Sequence, residues 1–384
     1  MTSRFFRTTL ASASLLTVIM VGSAQAQSAR DAVIANIEAA AKAGGVATVS
    51  HGAVTGDDAK FTVADQTFVI KDGKDETTIT VATTTYTNAK PTPTGGYSAD
   101  RVEFGEIGVE AKDGSASIDK LVVEGLVGPS ADDIKAKKPN GKFDRLEIAT
   151  LEAGTDDKTV TLDSMVVTAA SYVDGIPHKT LIDIKGLVVP LDKDDKDVKD
   201  LIALGYEELN LDVSIGSNWM DKDGKLAVEP VAISGKDIGA LRLSFNLGGV
   251  TPEFVAQLKA AEGDSNKQVE LLQSLQVQDV SIRFDNASIV DRLLDKQAKD
   301  QGVKKADLVK QLSTMAPMLL AQLNNKDFEK KVADAIGAFL SAPKSLTVTA
   351  KPPAAIPVAQ LVGTVLVAPQ TLPNVLAVDV VANK

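Results

Sequence analysis

The sequence predicts an α+β fold, mainly β: a long antiparallel β-meander, with helices packed on the sheet in the C-terminal part. Three observations predict it. From about Ala47 to Pro190 apolar residues recur with a period of two between short polar turns. No helix of usable length interrupts that stretch, so it does not read as a βαβ array. After Thr251, segments with helical periodicity lie beside further alternating strands, which places helices on one face of an antiparallel sheet.

The elements follow in chain order. Arg4 and Arg7 precede an apolar run ending near Gly22, and Ala24-Gln25-Ala26 supplies a small-x-small cleavage motif. Residues 1–26 therefore read as a signal peptide cut after Ala26, and the expected location is the periplasm. The apolar run is short for a membrane span of about 20 residues. No later stretch approaches a span, so no stable transmembrane segment is expected after cleavage. Ser28 is a good N-cap with Asp31 three residues on, and Val33, Ile34, Ile37, Ala40 and Ala41 share one helical face. Gly44-Gly45 ends that helix.

The meander follows. Thr77-Ile79-Val81-Thr83, Val102-Phe104 and Ile107-Val109 alternate, with an irregularity at Gly105 that suggests a bulge. Ile118 to Val123, Leu146-Ile148, Val160-Leu162, Met165-Val167 and Leu181 to Val189 continue it. Turns are marked by Lys71-Asp72-Gly73-Lys74, Lys112-Asp113-Gly114, Pro139-Asn140-Gly141 and Asp174-Gly175. Gly125-Leu126 and Gly186-Leu187 recur at similar places, without a fixed repeat period.

The acidic and basic run Asp192 to Asp197 reads as a solvated boundary. The expected organisation is an N-terminal helix plus β domain over 27–191, a charged segment over 192–204, and an α+β domain over 205–384. Leu209-Leu211-Val213-Ile215 alternates, Asp221-Lys222-Asp223-Gly224 turns, and Leu241-Leu243-Phe245-Leu247 faces one way. Thr251-Pro252-Glu253 starts a helix, and a second covers about 266–275. A strand from Val277 to Phe284 precedes three helices near 288–299, 304–323 and 327–341. Leu346-Val348, a short helix over Val358 to Val367 and a closing strand from Val375 to Val381 complete the chain. Pro317 is expected to kink or split its helix.

Composition narrows the function. The chain has 384 residues, no cysteine, two histidines and a net charge of −10. Disulfides, thiolate metal sites and cysteine nucleophiles are excluded. The negative charge argues against nucleic acid as a partner, and 4% aromatic content argues against base stacking and sugar platforms. Asn140-Gly141-Lys142-Phe143 lacks the Ser/Thr of a phosphate-binding loop, and no G-x-S-x-G motif occurs. His51 and His178, the latter after Pro177 in a turn, read as surface histidines. Asp221 to Gly224 fails as a calcium loop because Trp219 and Pro230 fall at ligand positions. No cofactor and no metal are expected.

Two apolar stretches stand out. Met315-Ala316-Pro317-Met318-Leu319-Leu320 lies within a helical segment, and Ala359 to Val367 is almost wholly apolar. Ordinary core helices account for both. The sharper reading is that Met315, Met318, Leu319, Leu361 and Val365 line a pocket for an acyl chain or a partner helix.

Tyr206-Glu207-Glu208-Leu209-Asn210-Leu211-Asp212-Val213, Ser234 to Gly239 with Leu241 to Phe245, and Val280 to Ser288 leading into Asp291-Arg292-Leu293-Leu294 resemble the AsmA-type and YdgA-type periplasmic proteins of Gram-negative bacteria. That resemblance implies an envelope-maintenance role, with curved sheets that hold lipid tails in some members. The cleavable signal departs from an anchored, membrane-bridging form. The leading expectation is an exported, non-catalytic envelope protein that binds or shuttles an apolar, lipid-like ligand. The alternatives are a periplasmic scaffold that engages an envelope protein partner without a small molecule, and a carboxylate-based hydrolase.

Overall fold

The structure is a computed structural model. It describes residues 28–384 apart from 74, 139–140, 156–157, 174 and 322–323, and it does not describe the side chains of 319 and 320. The signal segment 1–26 and the turn residues Lys74, Pro139, Asn140 and Asp174 therefore lie outside the described residues. The fold is mostly β in antiparallel sheet, with helices mainly in the C-terminal part. The chain forms two compact units. One runs to Pro177 and includes Leu181–Pro190; the other comprises His178–Thr180 and Leu191–Lys384.

In the first unit, helix α1 (Ala29–Ala43) precedes strands β1 (Val46–Ser50), β2 (Val54–Gly56), β3 (Lys60–Asp72), β4 (Asp75–Thr87), β5 (Lys90–Pro91), β6 (Tyr97–Ala111) and β7 (Gly114–Gly128). A short helix α2 (Ala131–Lys135) then leads to β8 (Arg145–Thr155), β9 (Lys158–Val173) and β10 (Ile176–Pro190). The ladder runs β3–β4–β6–β7–β8–β9–β10, with β1 and β2 on β3 and β5 on β6. Ser28 caps α1 by accepting the Asp31 N–H at 3.1 Å. The Asp31 carboxylate pairs with Arg30 instead of closing a capping box; Ser130 and Asp133 form a complete one at α2. The two short strands expected at 160–162 and 165–167 are one strand, because β9 carries the chain through both without a turn.

Val33 and Ile37 of α1 are fully buried in one apolar cluster that includes Phe61, Phe104 and Ile107 of the sheet. Each such aliphatic side chain contributes roughly 1.5–3 kcal/mol of burial. Phe61 stacks on Tyr86 at 4.8 Å, and Tyr97 meets Tyr86 edge-on at 6.5 Å.

The irregularity at Gly105 belongs to a crease that crosses six strands, β3, β4, β6, β7, β8 and β9, each of which skips one residue in its pairing. The buried residues step by three instead of two from Val63 to Gln66, Val81 to Thr84, Phe104 to Ile107, and Ile118 to Leu121; on β8 the buried Ile148 is followed by the core-packed Leu151. On alternate strands the extra residue is left-handed: Asp65, Glu106 and Thr150 have φ near +50°. One added residue swaps the faces of a strand. Here every strand adds it on the same row, so the apolar face stays on the same side of the sheet throughout.

A second such step, from Val123 to Leu126, passes through Gly125 at φ +62°, with the Asp144 side chain packed where a Cβ would stand. Gly186 repeats that arrangement against Asp163. Left-handed backbone costs a side-chain-bearing residue about 1–2 kcal/mol, and displacing Asp144 adds to it. Gly125→Val is expected to lose about 3 kcal/mol or more. Urea unfolding checks this, and a loss below about 1 kcal/mol would contradict it.

In the second unit, α3 (Lys199–Ala203) leads to β11 (Glu208–Met220), β12 (Lys225–Gly235), β13 (Gly239–Gly248), α4 (Pro252–Ala260), α5 (Ser265–Leu272) and β14 (Gln276–Asn286). Then come α6 (Ile289–Gln301), α7 (Lys305–Leu320), α8 (Lys326–Ser341), β15 (Ser345–Ala350), β16 (Ile356–Pro357), α9 (Val358–Val367), α10 (Leu372–Val375) and β17 (Val378–Ala382). The antiparallel ladder is β11–β12–β13–β14–β15–β17, with β16 on β14. Helix α7 continues through Pro317, which falls in its last turn, where few intrahelical bonds remain to be lost. The closing strand starts later than expected because residues 369–375 are helical turns.

Candidate functional site: an open apolar sheet face

The site is built by alternation. In the second unit, side chains that lie directly opposite across the ladder share a face. One row is Ile233, Leu241, Phe284 and Leu346; the next is Val231, Leu243, Ile282, Val348 and Val380. The other face is polar and carries Arg242, Arg283 and Asp285.

Helices cover the two ends of the apolar face. At one end Trp219, Leu226 and Leu247 lie under Phe254 and Leu258 of α4 and Leu275. The Trp219 Nε1–H donates to the Val250 carbonyl at 2.6 Å, which fixes the indole in place. At the other end Phe339 of α8 meets Phe284 edge-on at 6.3 Å. Ile233 and Leu241, which share the row of Phe284 near the β12–β13 turn, and Ile282 in the adjoining row stay 41%, 45% and 43% exposed. A sheet face normally buries its apolar side against another layer. Here, among the described residues, this part of the face stays partly open to solvent.

The polar face is held by charge. Arg242 and Arg283 lie directly opposite each other, a repulsive pairing. Asp285 joins them: Arg283 donates to it from Nη2 at 2.6 Å and from Nε at 2.9 Å, and Arg242 also bonds to it. The Arg283 hydrogen bonds hold the Asp285 carboxyl below its ordinary range, against a smaller opposing effect of burial. A depressed folded pKa stabilises above the unfolded value near 3.9, and the gain is lost as pH falls through the folded value. Partial exposure keeps the gain small. Asp285→Asn is expected to lower the urea midpoint at pH 7, with the difference from the parent shrinking as pH falls below about 4. A difference that persists unchanged at the acid end would contradict it.

His178 corrects the sequence reading. It lies in strand β10, not in a turn, because the turn ends at Gly175 and the strand begins at Ile176. Its side chain is 12% exposed, and the ring packs 4.7 Å from that of Trp219. The Nδ1 sits 3.7 Å from Asp221, and the Nε2 is buried without a hydrogen-bond partner among the described residues. His51 sits just past β1 with its Nδ1 2.6 Å from the Gly52 carbonyl oxygen. Among the described residues, neither ring is hydrogen-bonded to a serine or threonine hydroxyl. Asp221 to Asp223 form one 3₁₀ turn closed by Gly224 at φ +59°. Among the described residues no group of three or more His, Asp or Glu side chains is arranged to hold a metal ion.

The five residues expected to line a pocket fall on two helices. Met315 is half-buried on α7, beside an open depression of about 350 Å³ that it shares with Asp307, Lys310, Gln311 and Thr314, and that takes no residue from α9. Met318 is exposed, and the side chain of Leu319 lies outside the described residues. Leu361 is half-buried and Val365 exposed on α9. Helix α9 buries none of its residues, so it is not a core helix. The exposed patch of Ile233, Leu241 and Ile282 was not singled out from sequence. The alternation of Leu241 to Leu247 was visible, but alternation does not show whether a face is covered.

One family model, described only as "Uncharacterized protein", matches residues 232–383. The matched segment takes in Ile233, Leu241 and Ile282 together with helices α4 to α9. No curated protein and no solved structure matches the chain. Among the described residues no helix is long and apolar enough to cross a membrane.

Proposed function

We propose that this chain is an exported, non-catalytic periplasmic envelope protein that binds or shuttles an apolar, lipid-like ligand on the open face of its C-terminal sheet. The observation that carries the reading is the partly uncovered patch of Ile233, Leu241 and Ile282, in two adjoining rows of a face that helices cover elsewhere. Contiguous exposed apolar surface on a folded chain marks an interaction site. The resemblance of Val280 to Ser288 and its neighbours to AsmA-type and YdgA-type proteins supports the same reading, as does the signal-like N-terminus.

The energetics are adequate for a reversible carrier. An acyl chain gains about 0.8 kcal/mol per buried methylene. A dozen methylenes, half covered by an open face, would gain on the order of 5 kcal/mol, which corresponds to binding in the range of about 0.1–1 mM. Closure by a helix or loop over the ligand would tighten it.

Native mass spectrometry of the chain purified from a periplasm, followed by solvent extraction, tests the proposal. A stoichiometric lipid or fatty-acid mass supports it. A clean apo mass together with no saturable binding of a fluorescent fatty acid up to about 1 mM would overturn it in favour of the scaffold alternative, in which the open face meets an envelope protein.

A further inference from the structure

The second unit holds a cavity that the apolar face does not share. Three residues of β10, His178–Thr180, belong to this unit. A cavity of about 250 Å³ is lined by Lys179 from that segment, by Gly216, Ser217 and Asn218 of β11, and by Ala227 and Glu229 of β12. Asn218 lies opposite Ala227, and Ala227 opposite Asn246. Asn246 shares a strand face with Arg242, so this row belongs to the polar face.

The backbone makes the space. The β11–β12 register slips between Ser214 and Ser217, and the β12–β13 register between Val228 and Val231. Both slips pass over Glu229 and Pro230. A bulge of this kind bends its strand and re-aims a side chain. Gly216 and Ala227 are buried, so main chain and a single methyl group form the wall at those points. A glycine inside a strand often marks a close approach of a ligand or another backbone.

The charges decide the class of guest. Lys179 and Glu229 carry opposite signs and line one cavity. Among the described residues neither is paired, with the other or with a third group. The side chains of Ser217 and Asn218 likewise make no hydrogen bond among the described residues. Elsewhere on the same face such groups are spent: Arg242 and Arg283 on Asp285, and Asn246 on Asp279. A lone anion in the cavity would be repelled by Glu229, and a lone cation by Lys179. An apolar guest would take water from both charges and pair neither. A zwitterion satisfies both, with a charge-assisted hydrogen bond at each end. The volume lies below the roughly 300–1,000 Å³ of sites for drug-sized ligands, so the guest is small.

We propose that this cavity binds a free α-amino acid, its carboxylate held by Lys179 and its ammonium by Glu229, with Ser217 and Asn218 supplying neutral hydrogen bonds. The proposal goes beyond the lipid reading and does not rest on it, because the cavity and the apolar patch use different faces of the sheet.

Equilibrium dialysis of the purified chain against the common amino acids, followed by calorimetry on each one retained, tests it. At least one should bind at a single saturable site with a dissociation constant below about 1 mM. Its amide lacks the carboxylate and its N-acetyl form lacks the ammonium; each should bind at least about tenfold more weakly. Lys179→Met and Glu229→Gln should each weaken the parent amino acid by at least about tenfold. Both side chains are exposed, so the fold should hold, which far-UV circular dichroism checks. Lys179→Met should also erase the preference for the amino acid over its amide, which a general loosening of the sheet would not do. Retention of no amino acid at about 10 mM overturns the proposal. So does equal binding of the amide and N-acetyl forms, or binding that neither substitution weakens. Titration with a fluorescent fatty acid reads the apolar face separately and should be unchanged in Glu229→Gln.

Discussion

Replacing Leu241 and Ile282 by lysine together is expected to weaken fatty-acid binding by at least about 30-fold while leaving the fold intact. Both side chains sit in adjoining rows of the apolar face and remain close to half exposed in the free protein. Covering the exposed half of each with an acyl chain is worth roughly 1 kcal/mol per residue. Losing both removes about 2 kcal/mol, a factor of about 30 in affinity, and two ammonium groups beside an alkyl chain add a desolvation cost. The folded chain loses little, since these groups already face water. Lysine is also a common occupant of exposed strand positions. Titration with a fluorescent fatty acid and thermal unfolding would be run on the same samples. Unchanged affinity with a normal unfolding curve would sink the sheet-face assignment.

The opposite pattern is expected at Phe104→Ala. Phe104 is 1% exposed in the core of the first unit, between α1 and the sheet. Removing a buried phenyl group costs about 3–5 kcal/mol, from lost transfer energy and the cavity left behind. Far-UV circular dichroism in urea should show a lowered midpoint of that size. A loss below about 1 kcal/mol would mean that the core collapses around the gap or is not packed as described.

The two substitutions separate what the same alternation means in two places. Val102-Phe104 and Leu241-Leu243 look alike in sequence. The first is roofed by α1, whose apolar face was legible from the spacing of Val33, Ile34, Ile37, Ala40 and Ala41. The second has helices α6 to α8 near it in sequence, enough to suggest a roof. Those helices pack largely on one another, around Leu294, Ala298 and Leu308. Which surface a helix covers depends on long-range packing, and a local pattern does not encode it.

The same limit explains α9. A run as apolar as Val358 to Val367 reads as core, yet it has no buried residue. The crease, by contrast, was half legible. The break between Phe104 and Ile107 was visible at Gly105, but its partners at Asp65 and Thr150 carry no glycine to mark them. His178 was misplaced because Pro177 suggests a turn, whereas a strand accepts proline near its start.

The central claim is that an apolar ligand lies on the face formed by Ile233, Leu241 and Ile282. Photo-crosslinking with a diazirine-bearing fatty acid, followed by peptide mapping, tests it most directly. The account predicts labelled peptides from 226–247 and 276–286, with labelling competed away by unmodified fatty acid. Labelling confined to other segments, or labelling that excess fatty acid does not reduce, would contradict it.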